Sequence, residues 1–148
     1  MYSEYNKRRD VVRKEIDNYI YSNFCDVRCF GHMFTRHFNL TESALRYRAL
    51  SQRIDTSSFE GSKDAILRML VTLLIDSREE LIDYLADTED DGMWELQDKL
   101  PKNVSGIMYS HKKTHDWKNG PIMLHEFKIV LRKTEDKQGL EIVTAYPV

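Results

Sequence analysis

The chain has 148 residues, of which 41% are hydrophobic and 31% charged, a composition typical of one globular domain with a single core. No apolar run approaches the roughly 20 residues that cross a bilayer, and two cysteines, Cys25 and Cys29, cannot make a disulfide framework. The net charge of −2 argues against a simple basic nucleic-acid-binding protein.

Helical patterns occupy the first part of the sequence. Residues 4–24 have an apolar stripe at helical spacing, made of Val11, Val12, Ile16, Tyr19, Ile20 and Phe24. Thr41 is a good cap for a second helix that runs to about Gln52, with the apolar residues Ala44, Leu45 and Leu50 facing inward. A turn is predicted at Ser57–Gly61, which contains two serines and a glycine.

Ser62 begins the strongest helical signal in the chain. The segment that follows has so wide an apolar face that burial on more than one side is predicted; the face consists of Ala65, Ile66, Met69, Leu70, Leu73 and Leu74. A further helix is predicted over Arg78–Ala86, and an acidic loop over Asp87–Asp91.

The last third of the chain has the alternation typical of strands. Strands are predicted over Val104–Tyr109, Leu124–Arg132 and Leu140–Tyr146, and the last two form a hairpin. Helices followed by an antiparallel sheet define an α+β fold.

Charge is distributed unevenly over these elements. Residues 54–100 hold 13 acidic and 4 basic side chains, whereas both flanks carry a basic excess. Basic ends around an acidic middle could fold into a positive cleft with an acidic back. An acidic pair of helices that simply faces solvent explains the same distribution equally well.

Two hydroxyl side chains near the C-terminus are candidate site residues. Alternation along the final strand puts Thr144 and Tyr146 on one face, together with Leu140 and Ile142, and separates the Cα atoms of the first two by about 6.7 Å. At that spacing the two hydroxyls could donate hydrogen bonds to one phosphate group without carrying charge. The strand propensity of threonine and tyrosine explains the same pair without any function.

An imidazole and a guanidinium come earlier in the chain. His37 directly precedes the helix capped by Thr41, and histidine is the side chain whose unperturbed pKa suits proton exchange near neutral pH. Arg48 lies near the end of the same helix, from which it could reach back. Guanidinium stays protonated and forks onto two phosphate oxygens. A single histidine in such a position is, however, more often structural than catalytic.

Signals for other chemistry are weaker. Cys25-x3-Cys29 and His111-x3-His115 could be combined into a four-ligand zinc site, but the first spacing is loose and no second cysteine pair accompanies it. The sequence contains neither a glycine-rich phosphate loop nor a G-x-S-x-G motif. We therefore predict no metal site and no cofactor.

Together these motifs resemble the RNase A-like toxin domains found at the C-termini of bacterial contact-dependent growth inhibition proteins (CdiA) and related polymorphic toxins. The resemblance depends on order and spacing: a His-x4-His motif, a Thr-capped helix with an arginine, a Ser-Ser-Phe segment, a long apolar helix and a final strand ending in Thr-Ala-Tyr-Pro. The matching stretches are His32–Arg48, Ser57–Phe59, Ser62–Leu85 and Phe127–Pro147.

The resemblance implies a fold and a domain boundary. The expected fold is two-lobed and kidney-shaped, like that of pancreatic-type ribonucleases but without disulfides, and it covers residues 30–147. Residues 1–28, which hold the N-terminal helix, are either part of the same fold or the remnant of an upstream segment. In both cases residues 1–148 are expected to be a single toxin domain.

The resemblance also implies an activity, the metal-independent cleavage of RNA. By position, the active-site histidine of the family falls on His37, its arginine on Arg48, and its hydroxyl pair on Thr144 and Tyr146. RNA carries its own nucleophile, the 2′-hydroxyl, so the protein need only move protons and stabilise charge. The expected products are a 2′,3′-cyclic phosphate and a 5′-hydroxyl, and DNA could not react in this way.

Further groups would assist this reaction. A second proton-transfer group is needed, and His32 and His125 are the candidates. Trp117 and Lys128 are candidate substrate-binding residues. Two other aromatic residues could stack on bases but more commonly have packing roles: Trp94 and Tyr109.

Partners and location follow from the same resemblance. We expect an RNA substrate, a cognate immunity protein, no membrane span, and a monomer apart from the immunity complex. The chain would be the C-terminal part of a secreted or cell-surface effector that acts in the cytoplasm of a target cell. Two other classes stay open: a non-enzymatic interaction or immunity-type protein that uses the acidic middle as an interface, and a metal-dependent nuclease that uses the histidines of residues 111–115.

Overall fold

Helices fill the first part of the chain and strands the last, as the sequence predicts. The computed structural model describes residues 3–22, 33–112, 120–136 and 139–148. The described helices are α1 (Glu4–Ser22), α2 (Met33–Arg36), α3 (Glu42–Gln52), α4 (Lys63–Asp76) and α5 (Arg78–Ala86). The described strands are β1 (Thr56–Glu60), β2 (Trp94–Lys99), β3 (Ser105–Tyr109), β4 (Ile122–Leu124), β5 (Glu126–Lys133) and β6 (Leu140–Pro147). None of these helices is long and apolar enough to span a membrane.

The strands form two antiparallel sheets, which confirms the α+β prediction. One sheet has the strand order β1–β3–β4 and the other the order β2–β5–β6. The β5–β6 hairpin is the one that alternation predicts. Strand β2 is not predicted, because only Trp94 and Leu96 in it are apolar and it lies at the edge of its sheet.

A β-bulge in β6 sets the direction of the C-terminal side chains. Val130 of β5 lies opposite Thr144, but the next residue of β5, Leu131, lies opposite Ile142. β6 therefore has one extra residue, Val143, at this point. Because paired residues point to the same side of a sheet and successive residues to opposite sides, Ile142 and Thr144 point to opposite faces.

The bulge confirms one prediction and shows that another is wrong. Thr144 and Tyr146 share a face of β6, as predicted. They do not share it with Leu140 and Ile142, which belong to the hydrophobic core and are each 6% exposed. Simple alternation would turn the two hydroxyls into the core, and the extra residue turns them to the other side of the sheet.

Strand β1 stands where a turn is predicted at Ser57–Gly61. Its first four residues are buried, although three of them carry hydroxyls. The Thr56 hydroxyl donates to the Leu45 carbonyl oxygen at 2.9 Å, and Ser58 Oγ accepts from the Leu40 N–H at 3.0 Å. Because these bonds satisfy groups that burial would otherwise leave unpaired, a polar segment can form a buried strand beside α3.

Helix α1 buries its apolar stripe in the main core. Val12, Ile16 and Ile20 are 5%, 1% and 2% exposed. They belong to the same hydrophobic cluster as buried residues of α4, α5, β5 and β6. Burying an aliphatic side chain of this size is worth about 1.5–3 kcal/mol, so α1 is stabilised by the core that it shares with α4, α5, β5 and β6.

Ion pairs join α1 to α5. Arg9 and Arg13 of α1 bind the Glu79 carboxylate at 2.9 and 3.0 Å, and the Arg13 hydrogen bond lowers the pKa of Glu79. Arg78 of α5 donates in return to Asp17 of α1 at 2.9 Å. Some of the basic side chains near the N-terminus are therefore paired with carboxylates from the acidic middle of the chain. These arginines do not line a positive cleft.

The two sheets approach each other where Gly106 of β3 meets Pro147 of β6. A Cβ atom at position 106 would lie 2.5 Å from the Pro147 Cβ and 3.1 Å from Leu100 Cδ1. The proline ring is rigid and cannot move independently of its strand. Gly106 thus allows β3 to lie close to the strand that carries Thr144 and Tyr146.

We expect Gly106→Ala to lower the free energy of unfolding by about 1–3 kcal/mol, the usual cost of overpacking a tight contact. Urea denaturation followed by tryptophan fluorescence measures the change. Gly120→Ala is the matched control, since a Cβ there would have no atom of the described residues within 4 Å, and we expect it to change stability by less than about 0.5 kcal/mol. Equal stability of the two variants would contradict the proposed tight contact.

Candidate active site

Backbone hydrogen bonds hold His37 against β1. Its N–H donates to the Met33 carbonyl at 2.7 Å, and its own carbonyl accepts from the Phe59 N–H at 2.6 Å. The Asn39 N–H donates to the Phe59 carbonyl at 2.7 Å, and Asn39 adopts a left-handed φ of 46°. The backbone on either side of the imidazole is therefore fixed to the neighbouring strand.

The hydrogen bond of the His37 ring determines its tautomer. Nδ1 lies 2.9 Å from the Ser57 carbonyl oxygen and 3.4 Å from the Ser57 hydroxyl oxygen. A carbonyl oxygen can only accept, so Nδ1 carries a hydrogen and donates this bond. In the neutral ring the lone pair is then on Nε2, and this nitrogen can accept a proton from a substrate.

Tyr146 and Thr144 lie on β6 beside His37. The centroids of the Tyr146 and His37 rings are 5.6 Å apart, and the rings are inclined by 40°. Thr144 lies two residues earlier on the same face of the strand. Its Oγ1 is buried and has no hydrogen-bond partner among the described residues. An unpaired buried hydroxyl costs free energy, which a ligand oxygen could recover.

Arg48 extends from α3 to the backbone beside His37. Its Nη1 donates to the Arg36 carbonyl oxygen at 3.0 Å. The N-cap of α3 is Thr41, as predicted, and its Oγ1 accepts from the Ala44 N–H at 3.1 Å. The guanidinium therefore lies next to the residue that precedes His37, and its other N–H groups can bind an anion.

Lys128 occupies the same face of the second sheet. It lies directly opposite Tyr146 in the pairing of β5 with β6, and so on the side that carries Thr144. Its ammonium group donates to Glu95 Oε2 at 3.1 Å, and this bond raises the pKa of Lys128. The lysine thus keeps its positive charge at neutral pH, beside a carboxylate that compensates part of it.

The structure brings the four predicted catalytic residues together. His37 contacts Tyr146, Arg48 binds the residue before His37, and the hydroxyls of Thr144 and Tyr146 are on one face. A proton acceptor, a fixed cation and neutral hydrogen-bond donors suit a reaction in which charge grows on a phosphate group.

Several of the remaining predicted site residues lie outside the described part of the chain: His32, Trp117 and three of the four ligands of the alternative zinc site. The fourth ligand, His111, binds Asp55 Oδ1 through its backbone N–H at 3.1 Å, which lowers the pKa of Asp55. Within the described part of the chain, no three His, Cys, Asp or Glu side chains are arranged to hold a metal ion.

His125 is an exposed residue between β4 and β5. Its carbonyl oxygen accepts from the Leu100 N–H at 2.9 Å. Its role as a second proton-transfer group stays a prediction.

The two other aromatic residues considered for base stacking have packing contacts. Trp94 stacks on Tyr84 with ring centroids 5.3 Å apart. Tyr109 is 3% exposed and belongs to the small core beneath α3. Tyr109 is therefore too buried for a base to reach its ring.

Two groups that support the site have no clear sequence signal. Ser57 acts through its carbonyl oxygen, which every residue has, and it lies in a strand that resembles a turn. Glu95 is one of many acidic residues in its segment, and only the pairing of β2 with β5 brings it near Lys128. The alternation of Trp94 and Leu96 with polar neighbours is the one signal that could have revealed β2.

Comparison with known proteins links this chain to one family. The family model for the bacterial CdiA-CT RNAse A domain matches residues 31–147, a stretch that begins after α1. A similar solved structure is described as the CdiA-CT/CdiI complex from Y. kristensenii 33638, with a TM-score of 0.63 and 22% sequence identity. The match covers 80% of this chain and 99% of that chain, and at this identity it shows the fold. No curated protein matches the chain.

Proposed function

Because the chain belongs to the family of bacterial CdiA-CT RNase A domains, we propose that it is a metal-independent endoribonuclease toxin of contact-dependent growth inhibition. The observation that carries the proposal is the contact of the His37 ring with Tyr146, beside a guanidinium and an unpaired buried hydroxyl. The proposed reaction cleaves RNA through a 2′,3′-cyclic phosphate and releases a 5′-hydroxyl.

His37 is the proposed general base. Its Nε2 takes the proton of the 2′-hydroxyl while its Nδ1–H stays bonded to the Ser57 carbonyl oxygen. That bond strengthens when the ring becomes a cation, so the same carbonyl holds the neutral ring in place and stabilises the imidazolium that forms. A positioned imidazole of this kind contributes about 10²–10⁴ in rate.

Two cations are proposed to meet the phosphate. Arg48 is the group that neutralises the pentacoordinate phosphorane, because its charge is permanent and its planar fork matches two phosphate oxygens. Lys128 is proposed to bind the substrate less directly, since Glu95 already accepts a hydrogen bond from its ammonium group. Its charge would attract the RNA backbone toward the β6 face.

The two hydroxyls have different proposed roles. Thr144 donates to a non-bridging oxygen of the phosphate, and this bond gives its buried hydroxyl a partner. Tyr146, in ring contact with His37, orients the imidazole or assists the leaving 5′-oxygen. Neutral donors placed where charge develops stabilise it without an opposing charge in the ground state.

The second proton-transfer group is proposed to be His32 or His125, and Trp117 is proposed to bind the substrate. All three stay predictions from the sequence. Replacing each histidine by alanine and comparing the alkaline limb of the pH–rate profile would distinguish between them, because loss of the general acid removes that limb.

The wider biological proposal follows from the family. We propose that residues 1–148 act as a single toxin domain, since the buried residues of α1 share one hydrophobic cluster with those of α4, α5, β5 and β6. The domain would be the C-terminal part of a secreted or cell-surface effector and would act in the cytoplasm of a target cell. A cognate immunity protein would neutralise it in the producer, and without that protein it would be a monomer.

A direct test uses the purified chain, total bacterial RNA and excess EDTA. We expect cleavage at an undiminished rate in the chelator and 2′,3′-cyclic phosphates at the new 3′ ends, because the proposed groups need no metal ion. A DNA strand of the same sequence serves as the control and is expected to stay intact.

Other outcomes of this test are informative. Loss of cleavage in EDTA, restored by a divalent cation, would favour the metal-dependent alternative. Intact RNA under all conditions, with the protein folded, would contradict the proposed nuclease activity.

A further inference from the structure

Exposed apolar side chains lie on the outer face of α3 and just after its end. Tyr47 and Leu50 on the helix are 73% and 41% exposed, and Ile54, two residues after the helix ends at Gln52, is 42% exposed. We call these three residues the α3 stripe. The buried face of the helix is formed by Leu45 and Ala49, so the prediction that Leu50 faces inward is wrong. Exposed apolar side chains that lie together can mark a surface that binds a partner.

The charge around the α3 stripe fits a polyanion. Residues 36–53 contain four arginines and one acidic residue, Glu42, although the whole chain has a net charge of −2. Exposed tyrosine among arginines is the composition of surfaces on which unpaired bases stack while the phosphates are neutralised. A single-stranded nucleic acid therefore matches this face better than an apolar or basic protein segment.

The α3 stripe also borders the candidate active site. Tyr47 directly precedes Arg48, so the two side chains are about 100° apart around the helix and 1.5 Å apart along its axis. Arg48 turns toward the Arg36 carbonyl beside His37, whereas Tyr47 faces solvent. If the scissile phosphate of an RNA strand lies at Arg48, the next nucleotide of that RNA would pass the exposed ring of Tyr47.

We propose that Tyr47 is a stacking platform for an unpaired base just outside the two nucleotides joined by the scissile phosphate. The inference depends on the proposed nuclease function and adds a substrate class to it, namely single-stranded RNA of several nucleotides. Tyr47 is not part of the catalytic group, so its loss weakens binding of longer strands and leaves the chemistry unchanged.

The test compares cleavage of a dinucleotide and of a 12-nucleotide single-stranded RNA. We expect Tyr47→Ala to raise KM for the longer RNA by about tenfold, the usual effect of losing one base–aromatic stack, with kcat unchanged. Cleavage of the dinucleotide is expected to be unaffected, and Tyr47→Trp is expected to restore KM. The matched control is Tyr21→Ala, since Tyr21 is 63% exposed on α1. We expect this substitution to leave the cleavage of both substrates unchanged.

A binding measurement separates failure of this inference from failure of the nuclease proposal. Fluorescence anisotropy with a labelled 12-nucleotide DNA strand needs no cleavage, and we expect Tyr47→Ala to bind it about tenfold more weakly than the unchanged chain. An unchanged KM together with unchanged DNA binding would overturn the platform while leaving the nuclease in place. If the unchanged chain cleaves neither RNA, the nuclease proposal fails. The stacking role of Tyr47 is then tested by DNA binding alone.

Discussion

We expect His37→Ala to reduce kcat/KM for RNA cleavage by about 10²–10⁴, the contribution of a positioned general base. The structure supports this expectation because the Ser57 carbonyl oxygen fixes Nδ1 as a donor and leaves the lone pair of the neutral ring on Nε2. No other imidazole in the described part of the chain contacts Tyr146. Steady-state cleavage of a fluorogenic RNA measures the change.

A second variant distinguishes lost chemistry from lost structure. His37→Ala also removes the hydrogen bond to Ser57, which costs about 1 kcal/mol of stability. His37→Asn keeps an N–H near the position of Nδ1 but has no group at Nε2. We expect His37→Asn to be as stable as the unchanged chain and as inactive as His37→Ala. Substantial activity in the asparagine variant would show that Nε2 is not the proton acceptor.

The pH dependence gives an independent check on the same residue. A general base works in its neutral form, so kcat/KM is expected to fall as the pH drops below the pKa of His37. His125→Ala is the comparison, since His125 is a candidate general acid, and loss of a general acid would change the alkaline limb of the profile and not the acid limb. If His125→Ala, and not His37→Ala, removed the acid limb of the profile, the two assignments would have to be exchanged.

Local periodicity predicts much of this fold, because it depends on interactions within one segment. The caps at Thr41 and Ser62, the wide apolar face of α4 and the β5–β6 hairpin are all visible in the sequence and present in the structure. Each follows from helical or alternating spacing and from side chains that bond their own backbone.

The predictions from sequence are wrong where contacts between segments distant in the chain determine the structure. Burial of β1 depends on Leu45 and Leu40 supplying hydrogen-bond partners for its hydroxyls, and no local pattern shows this. The bulge at Val143 reverses the faces of β6, because a strand partner and not the strand itself sets the register. The likeness in residue order still pointed to His37, Arg48, Thr144 and Tyr146, which lie near one another in the fold. Their catalytic roles stay predictions.

The candidate site also contains some groups that a local pattern reveals and others that depend on distant segments. His37 and Arg48 are recognisable from residue type and their position around α3. The Ser57 carbonyl and the Glu95 carboxylate are not recognisable, since one is a backbone group and the other acts only after β2 pairs with β5. Sequence reasoning therefore found the groups proposed to act on the substrate and missed those that hold them.

Thr144→Val is expected to separate activity from stability. Valine has nearly the shape of threonine but lacks the hydroxyl, and Thr144 Oγ1 has no hydrogen-bond partner among the described residues. Removing an unpaired buried hydroxyl should leave the free energy of unfolding unchanged or raise it by up to about 1–2 kcal/mol. The same change should lower kcat by about 10²–10³, the usual effect of deleting one donor to a developing oxyanion.

Urea denaturation and single-turnover cleavage measure the two quantities on the same preparation. Thr72→Val is the matched control, because Thr72 is exposed on α4 and should change neither activity nor stability by much. A clear loss of stability in Thr144→Val would mean that its hydroxyl is paired in the folded protein and serves the fold. A stable variant with full activity would mean that another donor holds the phosphate oxygen. A stable but inactive variant is the result expected of a hydroxyl that stays buried and unpaired until the substrate binds.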